Sequence, residues 1–259
     1  QWLNGHGVKL RAQASYGSPW VSFEMTLPQD SLDYQETETL EMCDIIDYYR
    51  IHSGGAHMYR QDRFSAETGA VGGRSYGVSL KEYLWKIHRL YAGGINRVIT
   101  HGYATESGPD ATTQWPGYDG IGFMFSERWG DRHPYGEMVQ GFTAYLARMQ
   151  AALRQGTGKM DVGILNLMFH SPKTVMISKS SESQEELLVW KDQGALAQAG
   201  YTYEFFAPQY LERFSSDGST FDPDNTDYRA LVVWQKTVPV ASAEKLLSYA
   251  RAGLPVVVV

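Results

Sequence analysis

The feature that most constrains this chain is a regular alternation of short strand-like segments with helix-like ones, in which several strands end on a polar or acidic residue. Gly7 to Ala14 alternates polar and apolar residues, the period of two that marks a strand. Asp33-Tyr34-Gln35-Glu36-Thr37-Glu38 leads into helical sequence from Leu40 to Tyr59, which Gly54-Gly55 is expected to interrupt. Arg63 to Glu67 reads as a short strand ending in an acid, and the glycine-rich Thr68 to Gly77 as a loop. Ser79-Leu80-Lys81-Glu82 has the form of a capping box, in which hydroxyl and carboxylate satisfy free backbone donors. The helix it opens is expected to bury Leu80, Leu84, Ile87 and Tyr91 and to stop at Gly93-Gly94. Asn96 to His101 is the next strand. A long loop then leads to a helix over Glu137–Gln155, with Met138, Phe142, Tyr145, Leu146, Met149 and Leu153 on its apolar stripe.

Such alternation implies parallel strands covered by helices, with ligand sites at the carboxyl ends of the strands. Gln13, Glu36 or Glu38, Glu67 and His101 fall at those ends, and the long loops also follow strands, as on the functional face of a (β/α) barrel. A second unit begins near Lys159. Its strands read as Asp161–Met168, Tyr201–Phe205, Tyr228–Trp234 and Val256–Val259, with helices at Glu185–Ala199 and Ala241–Ala252. This is the pattern of an open doubly wound α/β sheet. The expected division is 1–158, a partial barrel, and 159–259, a flavodoxin-like domain. The chain opens on Gln1-Trp2 and stops within the β-branched run Val256–Val259, which leads us to expect a piece of a longer polypeptide.

Composition narrows the function. Of 259 residues, 43% are hydrophobic and 13% aromatic, ample for a packed core. The net charge of −6 argues against a nucleic-acid partner, which needs a clustered basic surface. No apolar run is long enough for a membrane span. The single cysteine, Cys43, can form neither an internal disulfide nor a thiolate metal site. No phosphate-cradling glycine motif joins a strand to a helix, so no nucleotide cofactor is expected, and the absence of Gly-x-Ser-x-Gly leaves a serine hydrolase unsupported.

What remains is a concentration of carboxylates, Asp33, Glu36, Glu38 and Glu41, with Glu67 following. Glycoside hydrolysis needs two carboxyl groups in different environments, one to protonate the leaving oxygen and one to activate water or attack. Glu38 and Glu67, at successive strand ends, meet that requirement. Helix N-termini also favour carboxylates, which is the alternative account of Glu36 and Glu41. Trp115, Tyr118, Phe123, Phe125 and Trp129, set among glycines and acids, could stack on sugar rings or form a local core of their own.

These segments resemble glycoside hydrolase family 106, the α-L-rhamnosidases. The resemblance is carried by Leu10–Gly17, Asp33–Glu38, Ala56-His57-Met58-Tyr59, Ser65-Ala66-Glu67, Gly94–His101, Trp115-Pro116-Gly117, Tyr145–Gly156, Asp161-Val162 and Ala199–Tyr203, in that order. It departs at Gln35, where the family tends to have Pro. It implies a large multidomain enzyme in which this chain holds the second half of a (β/α)8 TIM-type barrel and then a flavodoxin-like or amidotransferase-like α/β domain. It implies an exo-acting, inverting hydrolase of carbohydrate substrates, with the remaining domains of the same polypeptide as partners and Ca²⁺ as an associated cofactor. Glu38 and Glu67 would then be catalytic, and Arg11, Gln13, Glu36, His57, His101 and Trp115 would bind substrate. If one family carboxylate lies in the other half of the barrel, only one of Glu38 and Glu67 is catalytic and the other binds sugar or metal. A β-galactosidase-like specificity, or a non-catalytic carbohydrate-binding protein on a decayed barrel, are the alternatives.

Overall fold

A computed structural model describes residues 2–13, 32–39, 46–103, 125, 129–130, 133–165, 193–233 and 237–259. Its strands form two parallel sheets. The first contains β1 (Arg11–Gln13), β2 (Tyr34–Glu38), β3 (Phe64–Thr68) and β4 (Arg97–Thr100), in that spatial order. The second contains β5 (Val162–Leu165), β6 (Tyr203–Phe206), β7 (Ala230–Val233) and β8 (Val256–Val258), in the order β6-β5-β7-β8. The first sheet therefore grows in one direction. The second grows outward both ways from β5, the hallmark of double winding.

The helices are α1 (Trp2–Gly5), α2 (Ile46–Met58), α3 (Leu80–Ala92), α4 (Met138–Leu153), α5 (Gln193–Gln198), α6 (Tyr210–Arg213) and α7 (Val240–Ala252). No helix among the described residues is long and apolar enough to cross a membrane. Ser79 caps α3, its hydroxyl accepting from the amide of Glu82 at 3.1 Å. The buried stripe of α3 is Tyr83, Ile87 and Leu90, with Leu80, Leu84 and Tyr91 at its margin. That is a rotation from the expected face. Tyr83 sets it, because its ring packs edge-on to Trp129 and Phe142 while its hydroxyl donates to the Gly69 carbonyl. On α4, Phe142 and Leu146 are buried, whereas Met138 and Leu153 at the helix ends are exposed.

Contrary to expectation, Gly54-Gly55 does not interrupt the helix after β2: α2 runs unbroken through both. The glycine has a packing role instead. A Cβ at Gly54 would land on the carbonyl oxygen of Phe205 and 3.0 Å from its carbon, so the absence of a side chain lets α2 lie directly against β6. That contact covers an edge strand and joins the two sheets. Met58 of α2 enters the same core as Leu165, Phe206, Leu231, Leu246 and Tyr249 of the second sheet and its helices. The opposite face of that sheet, Val162, Ile164, Tyr203, Phe205 and Val232, packs on Leu196 of α5.

Candidate active site

In a strand, successive side chains point to opposite faces, and in a parallel pair residues in register share a face. The register sets Gln13 beside Glu36, Glu36 beside Ser65 and Glu38 beside Glu67. One face of the first sheet therefore carries Arg11, Gln13, Glu36, Glu38, Ser65 and Glu67, with Arg97 in register with Ser65. The other face presents Gln35, Thr37, Phe64, Ala66 and Thr68, all buried on the helix side. The split follows from the sequence Gln35-Glu36-Thr37-Glu38: its odd and even positions face opposite ways, and both acids land together.

The polar face is wired by hydrogen bonds. Ser65 Oγ donates to Glu36 Oε2 at 2.7 Å and to the Gln35 carbonyl at 3.1 Å. Arg11 Nε stands 3.2 Å from the same Glu36 oxygen. Gln13 Nε2 donates to Glu67 Oε2 at 3.3 Å and to the Thr37 carbonyl at 3.5 Å. Glu38 differs. It is 2% exposed, and among the described residues its Oε2 has no hydrogen-bond partner. Burial first, and the neighbouring charge of Glu67 second, push its carboxyl up to about 7. The arrangement thus places a carboxyl poised to hold a proton near neutrality beside a second, oriented carboxylate, the pair that acid–base chemistry requires.

The structure does not bring all of the other expected site residues to this face. Arg11, Gln13 and Glu36 share the face with Glu38 and Glu67. His101 lies just beyond β4, at the same end of the sheet; its amide donates to the Thr68 carbonyl at 2.8 Å and its ring meets Phe125 edge-on. Trp115 lies outside the described residues, as do Glu41, Tyr118 and Phe123. Trp129 belongs to the core, stacked on Phe142 and on His133.

His57 is not brought to this face, contrary to expectation. It sits near the far end of α2, where its Nδ1 pairs with Glu204 Oε2 at 2.7 Å. Glu204 is wholly buried, and it also accepts from Tyr228 at 2.6 Å and from Ser53 at 3.4 Å. The reason is helix length: α2 starts after the carboxyl end of β2 and runs back along the sheet, carrying His57 away from Glu38. Nearby, Asn225 Nδ2 donates to the carbonyls of His57 and Met58 at 2.7 and 3.1 Å, closing the end of α2. Sequence reading missed this cluster. Its one signal was Glu204 itself, an acid alone among Tyr203, Phe205 and Phe206, which a buried strand tolerates only with partners.

Glu36 Oε2 is engaged by Arg11 and Ser65, and among the described residues no group of three or more His, Cys, Asp or Glu side chains could hold a metal ion.

Fold and site together define an α/β chain of two parallel sheets, the first of which displays a carboxyl pair at its strand ends. No family model and no curated protein matches the chain. Among solved structures it is similar to a rhamnosidase from Novosphingobium sp. PP1Y, with a TM-score of 0.71 and 15% sequence identity. The likeness covers 99% of this chain but only 23% of that one, so the chain spans less than a quarter of the other's length. At that identity the likeness is one of fold.

Proposed function

We propose that this chain is part of a glycoside hydrolase, an exo-acting α-L-rhamnosidase that inverts configuration with two carboxyl groups. In this reading residues 1–158 form the second half of a (β/α)8 barrel and 159–259 a flavodoxin-like domain. The observation that carries it is the pair Glu38–Glu67, in register at the carboxyl ends of β2 and β3, with Glu38 buried and held near a pKa of 7. The one-directional order of the first sheet, which a barrel requires, and the fold shared with a rhamnosidase support it.

Glu38 in its protonated form gives its proton to the glycosidic oxygen as the bond to the sugar breaks. Glu67, as carboxylate, takes a proton from the attacking water. Arg11, Glu36 and His101 would contact sugar hydroxyls from the same face. Neighbouring strands anchor the two side chains about 4.8 Å apart, less than the ~6.5–9.5 Å between inverting carboxyl groups, so the splay of the side chains decides the stereochemistry. The anomer released is therefore an independent check.

Glu38→Gln keeps the size of the side chain and removes its proton. In the full-length polypeptide it should lower hydrolysis of an aryl α-L-rhamnoside by about 10²–10⁴-fold, whereas survival within about tenfold would remove Glu38 from the chemistry. Wild-type activity should fall as pH rises through about 7, where Glu38 loses its proton. Preference for aryl galactosides would reassign the sugar, and binding without turnover would make the protein a carbohydrate-binding one.

A further inference from the structure

We propose that Gln13 is a positioning residue that fixes where the proton of the Glu38–Glu67 pair resides, its amide holding Glu67 as the hydrogen-bond acceptor and leaving the proton to Glu38. The proposal rests on the reading of Glu38 as proton donor and assigns Gln13 a role other than contact with sugar. β1 and β3 are not neighbours, because β2 lies between them. The Gln13 side chain nevertheless crosses β2, donating to the Thr37 carbonyl and ending on Glu67 Oε2. An amide nitrogen can only donate, so it favours a carboxylate oxygen over a protonated one. Glu38 has no comparable donor on its buried Oε2 among the described residues, and a charge on that oxygen would go without a partner among them. Two adjacent carboxylates titrate as one system, and holding both charges at once is costly. With one proton to share, the side that receives a donor keeps the charge and the bare side keeps the proton.

This makes an asymmetric prediction. In this reading the pair loses its last proton, that of Glu38, near pH 7. Gln13 stabilises the charge on Glu67. Its removal therefore eases uptake of the second proton and moves the acidic step upward. The last step, loss of the Glu38 proton, begins and ends with Glu67 charged, so the contribution of Gln13 cancels. A residue with a merely structural role would move both steps together or neither.

The test uses the full-length polypeptide with Gln13→Met, which keeps the side chain's reach and removes the donor, and Gln13→Ala as a second variant. Thermal melting establishes that each is folded. For aryl α-L-rhamnoside hydrolysis, kcat/KM against pH should show the acidic limb raised by about one pH unit, the scale of one hydrogen bond to a charged group. The alkaline limb should stay in place. A ¹³C NMR titration of labelled glutamate carboxyl groups reads the same two steps without turnover. An unmoved acidic step, or equal movement of both, would overturn the assignment to Gln13. Absence of rhamnoside hydrolysis in the wild type would instead remove the proposed activity, and the NMR titration would still decide the placement of the proton.

Discussion

Gly54→Ala tests how the two sheets are joined. In an isolated helix the change stabilises by about 1 kcal/mol, because alanine is the better helix former. Here the new methyl group meets the Phe205 carbonyl, oxygen and carbon both, and the Glu204 side chain at 3.4 Å. Phe205 is held in β6 by its pairing with β5, so α2 must withdraw. Withdrawal stretches the bonds from Ser53 and His57 to Glu204 and opens the core around Met58. Overpacking of this kind costs about 1–3 kcal/mol, and weakening hydrogen bonds to a buried charge costs about 1–3 kcal/mol more. After the helix-propensity gain, the net loss is about 1–5 kcal/mol, or a fall in Tm of roughly 2–20 °C for a protein of this size. The control is Gly141→Ala at an exposed position of α4, where a Cβ meets nothing within 4 Å; there the helix-propensity gain should appear alone. Thermal melting measures both, and hydrogen exchange should place the Gly54→Ala loss in α2 and β6. If Gly54→Ala melts at or above the wild-type temperature, the direct contact between helix and sheet edge is refuted.

Two further predictions concern the same seam. Burial pulls the His57 imidazole toward the neutral form, but the charge and hydrogen bond of Glu204 outweigh it and leave its pKa raised. A raised histidine stabilises the fold fully below its unfolded value of about 6.5 and loses that contribution as pH rises through the folded value. His57→Asn should therefore flatten the decline of Tm on the alkaline side; an unchanged slope would refute the linkage. Asn225→Ala removes the donor that closes the end of α2 and should cost about 1–3 kcal/mol in chemical denaturation, with early exchange of the last turn of α2.

Features that depend on neighbours along the chain were legible in the sequence. Periodicity located most of the strands and helices, the Ser79-x-x-Glu82 pattern located a helix start, and the alternation of strands with helices placed Glu36 or Glu38 at a strand end. It also put Glu67 at the end of the next strand. Tertiary structure decided what depends on which segments meet. Register set Glu38 beside Glu67, and only then did burial and a neighbouring charge raise the carboxyl that makes the pair unequal. The path of α2 took His57 out of the site and gave it to Glu204, a partner 147 residues away. The packing of that helix turned Gly54 from an expected break into a point of close approach. Strand and helix propensities act over a few residues, while charge, burial and contact act through space, and only folding makes distant residues neighbours.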